Sequence, residues 1–362
     1  MKTNFTSQLI VGTFFFLAAL LSMHRQASAQ FTLLPSMQYS DFQLYLDDAP
    51  RSFDFFDAEA TQDNTVNSYL LALLSDKIYT NALTQTGFRQ QLEEEFGPRG
   101  LNVDHVFMNA WTGTDGAVLS NNDAVFIVFR GTSSNGSLTP WADYLGDVDV
   151  DMVQKTIAGK SFWAHKGFWN NVDSVLPGIR AVVAPQFLQG KRVWICGHSL
   201  GGANATIAGL RLHYEYKIDI QRIETFGAPK AGDSGLKAKF YDANEHGKDL
   251  VSRTTRWAMY NDPVHTFFSG AYIKPGYYFV WRNYQHVGQV NKIYAQSNGT
   301  FNFYLNSSDY PMTYQSIYGL LNEHCWYDEA LEYKLRSEGF NYVIDGNPFA
   351  TRGTTNSYIY GY

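Results

Sequence analysis

The sequence predicts an α/β fold with a mainly parallel central sheet and helices on both faces. The chain has 362 residues, of which 45% are hydrophobic and 17% charged. That composition excludes a disordered protein and can supply a sizeable core. Short, continuously apolar segments are typical of strands buried on both faces. Helical patterns separate these segments, and such alternation indicates βαβ units. The predicted strands lie over residues 124–129, 193–196, 223–226 and 257–260.

The N-terminus predicts a secretory signal peptide over residues 1–29. Lys2 precedes an apolar stretch over 9–21, and Ala27-Ser28-Ala29 follows as a small-x-small cleavage site. The apolar stretch is shorter than the ~20 residues that a membrane-spanning helix needs. We therefore expect cleavage after Ala29 and no stable membrane span, with an uncleaved anchor as the alternative. The expected product is secreted or periplasmic.

Residues 30–362 are predicted to form a single domain. Residues 30–66 show little periodicity and are interpreted as an N-terminal extension laid over the body. From Asn67 onward, apolar residues recur at three- and four-residue spacing, which predicts a helix. A second helix is expected to end at Gly97-Pro98. This second helix is predicted over 83–96, further helices are predicted over 172–188 and 202–214, and residues 339–362 are interpreted as a terminal extension.

Charge and cysteine content argue against several function classes. The formal net charge is −6 and no dense run of Lys and Arg occurs, so we expect no nucleic-acid partner. The two cysteines, Cys196 and Cys325, are too few for a disulfide framework, and one bridge between them remains open. Alternating Asp147, Asp149 and Asp151 favour a solvated strand face over a Ca²⁺ site. No metal or organic cofactor is expected.

The segment Gly197-His198-Ser199-Leu200-Gly201 matches the G-x-S-x-G pattern of a nucleophile elbow. It directly follows a predicted buried strand and opens a helix rich in small residues, which is the setting that the motif requires. A nucleophile in so sharp a turn needs neighbours without a Cβ atom two residues away on each side. The alternative is a glycine-rich turn without chemistry. The context favours Ser199 as a nucleophile.

A serine hydroxyl needs a base to take its proton and an acid to orient that base. The chain order expected for such a site is Ser, then Asp or Glu, then His. Asp262 is the best acid because it follows a predicted strand within an Asn-Asp-Pro turn. Three histidines follow it, and His265 is too close to Asp262 in sequence to reach Ser199. The residues alone leave His286 and His324 open as the base.

Several ordered motifs resemble the class 3 lipases, the fungal-lipase-like family of α/β hydrolases. They span about residues 65–330 and are more specific together than any one alone. The resemblance implies an α/β-hydrolase fold. The motifs are Phe129-Arg130-Gly131-Thr132, Trp141 with Asp143, His165-Lys166-Gly167-Phe168, Gly197 to Ala203, Thr225-Phe226-Gly227-Ala228-Pro229-Lys230, Asn261-Asp262-Pro263-Val264, His286-Val287-Gly288 and Glu323-His324-Cys325-Trp326-Tyr327.

The resemblance implies roles for further residues. It assigns the base to His324, in an acidic-His-x-x-Tyr segment, and makes His286 structural. It also implies an oxyanion hole formed by the backbone N–H groups of Leu200 and Thr132. The implied lid over 133–141 is short and polar, which argues against strong interfacial activation.

The sequence therefore predicts a secreted serine ester hydrolase with the catalytic residues Ser199, Asp262 and His324. The expected substrates are carboxylic esters of lipids, acylglycerols first, met at a lipid–water interface or as soluble esters. A phospholipase A1 or a feruloyl-type esterase on the same scaffold is the alternative among enzymes. A non-catalytic α/β-hydrolase that binds a partner or small ligand is the alternative outside them.

Overall fold

The computed structural model describes most of the chain between residues 51 and 338. The ranges are 51–80, 82–132, 151–244, 247–260, 262, 264–266, 271–273, 279–281, 283–296, 300–308, 324 and 326–338. Several features predicted from the sequence lie outside the described residues. These are the signal peptide, Asp147 and Asp149 of the acidic segment, the implied lid, Cys325 and the C-terminal extension. Within them, no helix combines the length and the apolar character needed to cross a membrane.

A sheet of eight strands forms the centre of the molecule, in the order β1-β2-β3-β6-β7-β9-β13-β14. Strands β3, β6, β7, β9 and β13 pair in parallel, and the outer pairs are antiparallel. The strands are β1 Asn102–Asn109, β2 Thr114–Ser120, β3 Ala124–Phe129, β6 Arg192–His198, β7 Ile220–Phe226, β9 Thr254–Met259, β13 Gln289–Ala295 and β14 Phe301–Ser307. The mainly parallel sheet confirms the predicted fold class.

Shorter strands form two further sheets beside the central one. The first has four antiparallel strands in the order β12-β8-β5-β4, and the second pairs β10 with β11. Their bounds are β4 Met152–Ile157, β5 Lys160–His165, β8 Gly232–Asp233, β10 Ala271–Ile273, β11 Phe279–Trp281 and β12 Tyr284–Gln285.

Helices cover both faces of the central sheet. They are α1 Thr65–Lys77, α2 Gln85–Phe96, α3 Lys166–Leu188, α4 Leu200–Leu210, α5 Ser234–Phe240 and α6 Tyr327–Ser337. A π-helical turn, Arg211–Glu215, continues α4, and 3-10 turns lie at Ser52–Phe55, Val251–Arg253 and Val264–Thr266. The predicted helices are therefore present, with ends shifted by a few residues.

The sheet separates two apolar cores, and alternate side chains of β3 fill one or the other. Phe126 and Val128 face the core formed with α1, α2 and α6. Val125, Ile127 and Phe129 face the core formed with α3, α4 and α5. Because every second side chain of a strand points to the same face, a strand between two helical layers must be apolar throughout. This explains why residues 124–129 read as one continuous apolar run.

The segment before α1 enters the core more deeply than its sequence pattern indicates. Phe53 is fully buried, and the ring of Phe56 lies 4.8 Å from the rings of both Phe126 and Trp194, measured between centroids. Edge-to-face aromatic pairs at such distances are favourable beyond the area they bury. Phe53 and Phe56 thus belong to the core, although several other residues of this segment are exposed.

Asp63 connects this segment to three strands of the sheet. Its Oδ1 accepts hydrogen bonds from the Arg222 guanidinium on β7 and from Thr255 Oγ on β9, the latter at 2.6 Å. Its Oδ2 accepts the Asn291 side-chain N–H of β13 at 2.7 Å. Arg222 also donates to the carbonyl of Thr61 at 2.7 Å. We call these five residues the Asp63 clasp.

We expect Asp63→Ala to lower the free energy of unfolding by about 3 kcal/mol, because it leaves the buried Arg222 charge without its carboxylate. Urea denaturation monitored by tryptophan fluorescence measures the change. Glu59→Ala is the matched control in the same segment. Its partner Arg192 is 41% exposed and Glu59 itself 68% exposed, so that pair contributes little. Equal losses in the two variants would contradict the role of the clasp.

Candidate active site

Ser199 lies in the sharp turn between β6 and α4. Its backbone has φ 58° and ψ −129°, a strained conformation for a residue with a side chain. Two glycines make the turn possible. A Cβ on Gly201 would collide with the carbonyl oxygen of Phe129, and one on Gly197 would lie 2.6 Å from the carbonyl carbon of Gly201. The predicted elbow is therefore present, and packing against β3 explains its glycines.

The Ser199 side chain is held in place by its backbone. Its N–H donates to the carbonyl of Phe226 at the end of β7, at 2.8 Å. The residue is 1% exposed, and its hydroxyl has no hydrogen-bond partner among the residues that the structure describes. Leaving a buried hydroxyl unsatisfied costs free energy. The elbow thus presents a hydroxyl that forms no hydrogen bond with any described protein group.

Asp262 and His324 form a buried hydrogen-bonded pair. The Nδ1–H of His324 donates to Asp262 Oδ2 at 2.9 Å. The same oxygen accepts the Tyr327 O–H at 2.6 Å, and Oδ1 accepts the N–H of Val264 at 2.8 Å. Burial raises the pKa of Asp262, but the His324 ring and its hydrogen bond outweigh burial. With His265 and Tyr327, they lower this pKa to about 2.

The end of β7 brings the serine and the buried pair together. Phe226 accepts the Ser199 N–H, and the next residue, Gly227, has φ 59°. A Cβ on Gly227 would lie 2.6 Å from Asp262 Oδ2 and 3.0 Å from His324 Nδ1. Two adjacent residues therefore contact the nucleophile on one side and the Asp–His pair on the other.

Both predicted oxyanion donors lie near Ser199. Leu200 follows it in the chain, and the loop that carries Thr132 is close to it in space. Leu200 is the first residue of α4, so its N–H has no partner within the helix. Thr132 follows Gly131, on which a Cβ would lie 3.0 Å from Ser199 Cβ. Ser199, Gly227, Asp262 and Thr132 come after β6, β7, β9 and β3, which are neighbours in the sheet. The carboxyl ends of parallel strands are where α/β proteins place their ligands.

His286 lies apart from the Asp–His pair and has a structural partner. Its ring is buried, and Nε2–H donates to the carbonyl of His265 at 2.5 Å. Burial, followed by the charges of Arg256 and Lys230, holds the pKa of His286 well below its usual value. It is therefore neutral at ordinary pH and supports the loop that follows Asp262.

Sequence reasoning missed α6 and one contact of the site. Apolar residues at Tyr327, Ala330, Leu331 and Leu335 have helical spacing and are buried, so this helix carried a usable signal. Tyr79, just after α1, places its hydroxyl 2.9 Å from Nδ1 of His198 in the elbow. Only the folded chain brings these residues together, and no local pattern indicates their contact.

The described ranges contain no cluster of side chains that could hold a metal ion. No group of three or more His, Cys, Asp or Glu side chains has a suitable arrangement there. Cys196 is a buried free thiol beneath α1. Ser199, Asp262 and His324 are the side chains that could support nucleophilic attack and proton transfer near the elbow.

Residues 126–270 match the family model described as lipase (class 3). This part of the chain is similar to the class 3 lipases. A protein of Rhizomucor miehei described as a lipase is 34% identical over 115 residues, which is 30% of each chain. A secreted mono- and diacylglycerol lipase of Gibberella zeae is 29% identical over 161 residues. That alignment covers 39% of this chain and 37% of the relative, so both alignments span less than half of each relative.

Solved lipase structures share the fold. A deletion mutant of the Rhizomucor miehei lipase in complex with its propeptide has a TM-score of 0.52 at 18% identity, over 83% of this chain and 89% of that chain. The lipase of Rhizopus microsporus var. chinensis has a TM-score of 0.51 at 18% identity, over 71% of this chain and 83% of that chain. At such identities the likeness concerns the fold alone.

We expect Tyr327→Phe to destabilise the protein and to raise the pKa of Asp262. The change removes the O–H donor to Asp262 and leaves the buried N–H of Met259, which donates to the Tyr327 hydroxyl at 3.0 Å, without its acceptor. Loss of such a bond lowers the free energy of unfolding by about 1–3 kcal/mol.

Acid denaturation provides the second measurement for this variant. A carboxyl group with a lowered pKa stabilises the fold above its unfolded-state pKa, and that contribution is lost as the pH falls towards about 2. In Tyr327→Phe the loss should still begin near the unfolded-state pKa, but it should be smaller and should be complete at a higher pH. Tyr333→Phe on the same helix, whose ring packs on Phe301, is the control. An unchanged acid transition in Tyr327→Phe would contradict the assignment.

Proposed function

We propose that this protein is a secreted serine ester hydrolase that cleaves acylglycerols. The observation that carries the proposal is the buried hydrogen bond between His324 and Asp262, joined through Gly227 to the strained elbow of Ser199. Serine, aspartate and histidine in this chain order form the triad of α/β-hydrolases. Cleavage after Ala29 and export are part of the same proposal, supported by the description of the Gibberella zeae relative as secreted.

In the proposed mechanism, Ser199 Oγ attacks the ester carbonyl while Nε2 of His324 takes its proton. Asp262 remains ionised, holds Nδ1–H of the imidazole and stabilises the imidazolium that forms. Its low pKa of about 2 suits that role, because the carboxylate is charged at any pH at which an ester hydrolase works. The carbonyl oxygen becomes an oxyanion in the tetrahedral intermediate.

The oxyanion is proposed to accept hydrogen bonds from the backbone N–H groups of Leu200 and Thr132. The N-terminus of α4 adds its positive dipole end at the same place. Loss of one such donor typically costs roughly 3 kcal/mol in the transition state. His324 then protonates the leaving alcohol, and water activated by the same histidine hydrolyses the acyl-enzyme. No cofactor takes part in these steps.

Acylglycerols are the proposed substrates because both curated relatives are described as lipases, and one is named for mono- and diacylglycerols. The fold itself does not select a substrate, since the α/β-hydrolase scaffold supports many ester and non-ester reactions. The substrate class therefore rests on family resemblance, whereas the hydrolytic chemistry rests on the site.

We expect a fluorophosphonate probe to label the protein at Ser199. Ser199→Ala removes the acceptor of the label and His324→Gln removes the base, so both variants should lose labelling by a factor of about 10³ or more. His286→Gln is the matched control, because a glutamine amide can still donate to the carbonyl of His265. Normal labelling of His324→Gln together with loss in His286→Gln would show that the base is misassigned.

We expect Ser199-dependent hydrolysis of p-nitrophenyl esters from C2 to C16 and of an emulsified triacylglycerol. Rates that peak on long chains and persist on the emulsion would support a lipase. Activity restricted to short soluble esters would contradict the acylglycerol proposal while leaving the triad intact. Absence of Ser199-dependent turnover on every substrate, together with absent probe labelling, would overturn the proposed function.

A further inference from the structure

His198, the residue before the nucleophile, contacts both sides of the candidate site. Its ring centroid lies 4.4 Å from that of His324, and one ring nitrogen, Nε2, lies 2.5 Å from the backbone carbonyl oxygen of His324. The other, Nδ1, lies 2.9 Å from the hydroxyl of Tyr79. The elbow thus contains a histidine, His198, that the proposed triad does not use.

The geometry determines which nitrogen of His198 carries the proton. A carbonyl oxygen can only accept, so Nε2 must be the N–H that donates to His324. Burial, followed by the neighbouring His324 ring, lowers the pKa of His198 to about 3, and a neutral imidazole has a single N–H. Nδ1 is therefore an acceptor and receives the O–H of Tyr79. The hydrogen bonds run from Tyr79 through His198 to the backbone of His324.

Tyr79 also reaches the loop that carries Thr132. Its hydroxyl occupies the space that a Cβ on Gly131 would fill, and the same Cβ would lie 3.0 Å from Ser199 Cβ. The Tyr79–His198 pair therefore touches three separate parts of the chain. These are the loop with the proposed oxyanion donor, the elbow, and the backbone of the proposed base.

We propose that His198 is a positioning residue that holds the backbone of His324, with Tyr79 fixing its tautomer. This inference rests on the proposed function. Its physical basis is that the base must stay within hydrogen-bond reach of Ser199, and a displacement of about 1 Å can cost about 10²-fold in rate. A neutral ring suits this place, because a second positive charge beside the base would oppose formation of the imidazolium.

Kinetics of three variants test the proposal. His198→Leu removes the donor to His324 and should lower kcat by about 10–100-fold with KM within about twofold. His198→Gln places an amide N–H near the position of Nε2 and should recover most of the rate. Equal impairment of the two variants, or a wild-type kcat in His198→Leu, would overturn the proposal.

His213 provides a matched control for the loss of a buried histidine. It is fully buried, its Nε2 lies 3.2 Å from the carbonyl of Lys248, and its Nδ1 accepts the N–H of Ile220 at 3.3 Å. His213 thus contacts Ile220 at the start of β7, whereas Ser199 contacts Phe226 at the end of the same strand. His213→Leu should therefore lose stability comparably to His198→Leu and keep its kcat. A similar loss of kcat in His213→Leu would mean that general destabilisation explains both.

A double-mutant cycle tests the part assigned to Tyr79. Tyr79→Phe removes the O–H that selects the tautomer of His198 and should lower kcat several-fold. In the His198→Gln background the shorter amide has no acceptor at the Nδ1 position, so adding Tyr79→Phe should change kcat little. Additive losses would show that Tyr79 acts independently of His198.

¹⁵N NMR of histidine-labelled protein tests the tautomer without any substrate. The His198 signals, assigned by their absence in His198→Gln, should show protonated Nε2 and unprotonated Nδ1 across about pH 5–9. A protonated Nδ1 would overturn the proposal whatever the activity. If instead Ser199-dependent labelling and hydrolysis are both absent while the tautomer is as expected, the proposed function fails and the hydrogen-bond arrangement stands.

Discussion

The close approach of α4 to the end of β3 is the constraint on which the site depends. Only a glycine at position 201 lets the first turn of the helix lie against the carbonyl of Phe129. Position 197 also needs a glycine, because a Cβ there would collide with the backbone of Gly201. This contact forces the chain between them into the strained turn that holds Ser199. The same contact brings the loop after β3 beside the elbow, so that strain and proximity have a single origin in backbone packing.

Burial of charge is the second principle of the site. Asp262 is fully buried, yet its electrostatic interactions with His324 and His265 and its hydrogen bonds with His324 and Tyr327 lower its pKa to about 2. His198 lies beside the same base, and burial, followed by the neighbouring His324 ring, lowers its pKa to about 3, so it stays neutral. Neighbouring groups with opposite tendencies to ionise thus leave one negative charge in the site, beside the residue proposed to become positive.

The sequence predicted best what local patterns determine. The predicted strand over residues 124–129 has the same first and last residues as β3. A strand buried on both faces is apolar along its whole length, so the apolar run marks both of its ends. The elbow was found because its glycines answer a steric need of the turn itself. Sequence reasoning did not find the contacts of Tyr79 or Asp63, since each joins segments more than 100 residues apart. A lone tyrosine after a helix carries no sign of such a partner.

The Asp63 clasp and the rings before it limit how far the N-terminus can be trimmed. A protease that cut between Phe53 and Phe56 would remove a ring from the core above Phe126. A cut after Asp63 would leave the Arg222 guanidinium buried without its carboxylate. Every contact described here lies downstream of residue 50, so loss of the preceding residues removes none of them. Trimming up to Arg51 is therefore compatible with these contacts, whereas trimming beyond it is not.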